Sequence, residues 1–62
     1  MCLSTVYKAE GDKLEEVCTY VASAQDKGGS VEFTDVMGSV TVIEGAIESI
    51  DLVANKIVVR VA

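Results

Sequence analysis

Nothing in this chain obstructs a β ladder, and little in it favours anything else. Proline is absent, and β-branched residues recur in every segment between glycine-bearing turns. The first predicted strand runs from about Cys2 to Ala9, and Glu10-Gly11-Asp12-Lys13 turns the chain. The second runs from Lys13 to Thr19. There Leu14 and Val17 break the two-residue alternation, which predicts a bend or bulge near Cys18–Tyr20. Asp26-Lys27-Gly28-Gly29 is the clearest hairpin signal, because glycine accepts the positive φ of a tight turn. It separates a short strand near Val21–Gln25 from Val31-Glu32-Phe33, whose alternation gives one buried face. Asp35-Val36-Met37-Gly38 reads as a further turn, followed by a strand from Ser39 to Ile43.

Glu44-Gly45 marks a kink before the segment Ala46 to Val53. In that segment the Ile50/Leu52 spacing is strand-like, while Ile47/Ile50 leaves a helical turn open. Ala54-Asn55-Lys56 closes the last hairpin into Ile57-Val58-Val59-Arg60-Val61. This final stretch is apolar on both faces except at Arg60, as a central or interface strand would be. The expected fold is therefore all-β: a small SH3-like, partly open barrel of five to seven short antiparallel strands, one domain over residues 1–62. Closure hides edges that a flat sheet would leave bare; a two-sheet sandwich is the alternative.

Size adds a constraint. A chain of 62 residues buries only roughly 60% of the surface it exposes when unfolded. With 5% aromatic residues, its core must be mostly valine, isoleucine and leucine. Small domains make up such a deficit with disulfides, metals or oligomerisation, and a homodimer is expected here. The net charge of −5 opposes nucleic-acid binding, which draws its non-specific affinity from cations on phosphate. Lys8, Lys13, Lys27, Lys56 and Arg60 are scattered and form no basic run. No signal-peptide pattern opens the chain, because Ser4 and Thr5 interrupt any apolar run. No segment approaches the roughly 20 apolar residues that span a bilayer. The cytoplasm, where thiols stay reduced, is the expected location.

Few residues offer chemistry. Histidine is absent, which removes the commonest metal ligand and the usual general base at neutral pH. Glu15-Glu16 and the loose group Glu44, Glu48 and Asp51 read as a solvated surface, since adjacent acids on a strand face opposite ways. Cys18 reads as a small buried hydrophobe. Cys2 differs, because it directly follows Met1. With Met1 removed it presents an amine and a thiolate on adjacent carbons, a nitrogen and sulfur chelate suited to square-planar Ni(II) or Cu(II). A terminal cysteine can also serve as a hydrolase nucleophile or be a small start residue. A nucleophile needs an oxyanion hole and a pocket, for which a chain this small has little room.

The terminus Met1-Cys2-Leu3-Ser4-Thr5-Val6-Tyr7 resembles the start of the CooT family, small nickel-binding accessory proteins associated with maturation of carbon monoxide dehydrogenase. The likeness continues through Val31-Glu32-Phe33-Thr34-Asp35-Val36-Met37-Gly38, Gly45-Ala46-Ile47-Glu48-Ser49-Ile50-Asp51-Leu52 and Asn55-Lys56-Ile57-Val58-Val59, nearly the whole chain. Tyr20 to Gly29 departs most, with alanines and serines where the family is often more charged. The resemblance implies a homodimeric, SH3-like nickel chaperone, not an enzyme, that carries Ni(II) through Cys2 to a nickel enzyme. Cys2 thiolate and amine would be the ligands, with the Leu3 amide a further candidate donor and one ion open to Cys2 of both protomers. An interaction module for peptide or RNA is the alternative without metal.

Overall fold

The computed structural model describes residues 3–61, so Met1, Cys2 and Ala62 lie outside the described residues. Five strands follow one another: β1 (Ser4–Glu10), β2 (Lys13–Asp26), β3 (Ser30–Asp35), β4 (Val40–Asp51) and β5 (Lys56–Val61). Each neighbouring pair is antiparallel. β1 also lies parallel to β5, from Thr5↔Lys56 to Ala9↔Arg60, and this pairing closes the ring. The small all-β barrel is thus as expected, with five strands and a parallel closing pair. Among the described residues, no helix is long and apolar enough to cross a membrane.

Five strands suffice because β2 and β4 are long and bent, and each serves two partners. β2 gives its first half to β1 and its second to β3; β4 serves β3 and then β5. The sequence predicts two short strands in each place. Tyr20 takes the left-handed φ of 56°, and the β1·β2 register slips on both sides of Val6. Val17 is the extra residue between Val6↔Cys18 and Tyr7↔Glu16, so Val17 and Cys18 both pack against the core. That bulge is what breaks the Leu14/Val17 alternation. A second slip, between Ile47↔Val59 and Ser49↔Val58, explains the helix-like Ile47/Ile50 spacing within a continuous strand. At Gly45, φ is 152°, and a Cβ would collide with the Arg60 carbonyl oxygen. The kink therefore needs glycine.

The core is Val6, Val21, Val31, Phe33, Ile43, Ile57 and Val59, with Val17, Cys18, Ile47 and Val61 packed against it. Phe33 is the one aromatic among the fully enclosed residues. β5 is central, between β4 and β1, and Ile57, Val58 and Val59 are all buried. Three turns use the same device: an aspartate at the strand end accepts hydrogen bonds from amides just ahead. Asp26 Oδ1 takes Gly28 N–H at 2.8 Å. Asp35 Oδ1 takes Met37 and Ser39 N–H, each at 2.9 Å. Asp51 Oδ1 takes Val53 and Ala54 N–H, each at 3.0 Å.

Candidate functional site

Cys2, the residue the sequence singles out, lies outside the described residues; from Leu3 onward the surroundings of β1 are described. The Thr5 N–H donates to the Asn55 carbonyl at 2.9 Å, and Asn55 reaches that position with a left-handed φ of 55°. This anchors the chain three residues after Cys2. Leu3, the other candidate ligand, begins the described residues and is exposed at the margin of a cleft.

Strand register shows which groups share this end of the barrel. Ser4 pairs with Val21 and Val21 with Asp35; Thr5 pairs with Lys56 and Lys56 with Asp51. These pairings form a belt around the barrel. Just beyond it lie Leu3, the β3–β4 turn with Val36 and Met37, and the β4–β5 turn with Leu52 and Val53. Those two turns are apolar at their tips: Met37 is 86% exposed, Leu52 77% and Val53 96%. Leu3, Ser4, Val21, Ala22, Leu52, Val53 and Asn55 line one open cleft. The end of the barrel carrying the N-terminus therefore presents an exposed apolar surface, of the kind that marks an interaction site. The sequence analysis placed Leu52 and Val53 inside a strand. The signal it passed over was Asp51 followed by two apolar residues and Asn55, a turn with an aspartate cap and an apolar tip.

Cys18 is elsewhere. It stands opposite Val6, half-buried and packed against the core. Burial pushes its thiol pKa up; a hydrogen bond with Thr41 works against that, and the Asp35 carboxylate adds to it. That favours the neutral thiol, at a site half-buried against the core rather than fully buried as the sequence reading expected. The acids are likewise solvated. Glu15 meets Lys8 at 3.5 Å and Glu48 meets Arg60 at 2.8 Å. Arg60 also donates to the Gly11 carbonyl at 3.0 Å. Among the described residues, no three metal-ligating side chains come together.

Comparison with known proteins follows the same outline. The family described as CO dehydrogenase accessory protein CooT matches residues 1–60. Among solved structures, a crystal structure assigned as a CooT from Carboxydothermus hydrogenoformans superimposes with a TM-score of 0.87 at 21% identity, covering 98% of each chain. At that identity the likeness concerns the fold. No curated protein matches the chain.

Proposed function

Because this chain belongs to the CooT family of CO dehydrogenase accessory proteins, we propose that it is a nickel-binding chaperone, not an enzyme, delivering Ni(II) to CO dehydrogenase. The observation that carries the reading is the extent of the family match, residues 1–60, which takes in the Met1-Cys2-Leu3 terminus. With Met1 removed, the thiolate and amine of Cys2 supply two donors of the soft and borderline kind that Ni(II) prefers. The Leu3 amide nitrogen is a further candidate. A square-planar ion takes four donors, and two copies of Cys2 provide two sulfurs and two amines. One ion between two protomers is the arrangement this chemistry favours.

The apolar end supports a homodimer. Leu3, Leu52 and Val53 are exposed beside the terminus, and a two-fold pairing of this end buries them while drawing two N-termini towards each other. Such an interface is self-complementary by symmetry. Nickel binding and dimerisation are then linked, each strengthening the other. Release is built into the same ligand set. Cys2 must lose a proton from both thiol and ammonium to bind, so affinity falls as pH falls, and an ion held at a terminus is open to a stronger client site.

The test is a Ni(II) titration of tag-free, Met1-processed protein, followed in the thiolate-to-metal charge-transfer region. The expected result is a saturable band reaching its plateau near half an equivalent per chain, lost in Cys2→Ser and kept in Cys18→Ser. A band that survives Cys2→Ser, or one that needs Cys18, contradicts the reading.

A further inference from the structure

Among the described residues, the first halves of β2 and β4 each have a strand neighbour on one side only. β4 leaves β3 for β5 partway along: Val40 to Glu44 pair with β3, and pairing with β5 starts only at Gly45↔Val61. Hydrogen bonds fix which way each residue of that half points. The Gly45 N–H donates to the Gly29 carbonyl at 3.1 Å, and the Asp35 N–H to the Ser39 carbonyl at 3.0 Å. Bonded and non-bonded pairs alternate along an antiparallel ladder. Val31↔Ile43 and Phe33↔Thr41 are therefore the bonded pairs, and Val40 and Val42 aim their N–H and C=O groups away from β3. Among the described residues no strand meets them on that side.

The side chains around this edge are equally open. Val40 is 57% and Val42 56% exposed, on the outer face. Glu44 follows on the same face, and Glu32 is the cross-strand partner of Val42. Neither Glu32 nor Glu44 is in an ion pair among the described residues, where the ion pairs are Lys8–Glu15 and Arg60–Glu48. Behind the edge lies a cleft walled by Val17, Ile43 and Val61, with Lys8, already paired with Glu15, and Glu44 at its margin. A free edge flanked by apolar side chains is a template for strand addition.

We propose that the Val40–Glu44 edge of β4 docks an extended segment of a partner protein in which apolar and cationic side chains alternate. Backbone groups of Val40 and Val42 supply the ladder, the two valines receive the apolar side chains, and Glu32 and Glu44 receive the cations. A second copy of this chain fits less well. Each copy brings a further charge of −5, and its five Lys and Arg residues are scattered. This inference stands apart from the nickel reading, because no residue of the edge belongs to the terminal chelate.

The probe is a blocked peptide, Thr-Lys-Thr-Val-Thr-Lys-Thr, with a control carrying Glu in place of Lys. Amide hydrogen exchange of the full chain is followed by NMR at dilute protein. Val40 and Val42 amides are expected to exchange fast alone and to be protected by the Lys peptide but not by the Glu peptide. Val42→Lys places a cation against the incoming ones and should weaken binding by about tenfold or more. Val42→Pro removes only the outward N–H, a substitution an edge tolerates, and should lower affinity with the β3 ladder still protected. Equal protection by both peptides, or no protection at millimolar peptide, overturns the proposal. Protection without peptide that grows with protein concentration also overturns it, by assigning the edge to a second copy.

Discussion

The two cysteines, so alike in composition, sit in opposite situations. Cys18 is packed against the core beside Thr41 and Asp35, with its thiol pushed towards the neutral form. A terminal Cys2 has its own amine beside it. Iodoacetamide at mildly alkaline pH should therefore label Cys18 more slowly than Cys2, and more slowly than free cysteine. Faster labelling of Cys18 would contradict its assignment as a structural residue. The same shift has a sign in stability. Because folding raises the Cys18 pKa, its contribution is present below the unfolded thiol value, about 8.5, and is lost as pH rises through the folded value. Cys18→Ala should flatten that alkaline decline in urea melts. Gly45 admits no side chain. Gly45→Ala drives a methyl into the Arg60 carbonyl and should cost about 3 kcal/mol, read as a lowered urea midpoint with the slope unchanged.

At the scale of elements, the bends near Tyr20 and at Gly45 were legible, as were the turns after Asp26 and Asp35, while the turn after Asp51 and the continuity of the bent strands were not. Asp26 and Asp35 announce their turns through local hydrogen bonds, a local device with a local signature, and Asp51 uses the same device at a turn that was passed over. The bends at Tyr20 and Gly45 read as breaks between strands, yet one strand runs through each and only its partner changes. A bulge adds one residue without ending a strand, and only the partner strand reveals that. Leu52 and Val53 were misplaced for a related reason: apolar residues imply burial, and a turn that exposes them needs a reason outside one chain. Asp51 holds that turn. Asp51→Ala removes two hydrogen bonds, at about 1 kcal/mol each, and should loosen the turn and weaken self-association. Asp51→Asn keeps an acceptor and should restore both. Equal damage from both substitutions would show that the charge, not the acceptor, matters.

For the whole molecule, smallness governs everything else. At about 0.05–0.15 kcal/mol per residue, a domain of this size has roughly 3–9 kcal/mol of stability. The core is mostly valine around a single enclosed aromatic, Phe33. Phe33→Ala, at about 3–5 kcal/mol, removes from about a third to all of that margin. Covering the apolar end offers the missing burial. If the proposed homodimer uses this end, Val53→Glu, at a site 96% exposed in the single chain, leaves the barrel folded and yields a monomer mass in sedimentation equilibrium. An unchanged mass would place the dimer contact elsewhere. The fold was readable because strand patterning and glycine turns act along the chain. The proposed Cys2 chelate rests on the chemistry of its donor atoms alone, since Cys2 lies outside the described residues.

The most direct test of the nickel account compares Ni(II) binding by two forms of the same protein, one with Met1 removed and one with Met1 retained. Retention converts the Cys2 amine into an amide and leaves the thiol in place. The account predicts a charge-transfer band and tight binding in the processed form, and affinity lower by tenfold or more in the retained form. Equal binding by the two forms would contradict it, because the amine would then contribute nothing to holding the metal.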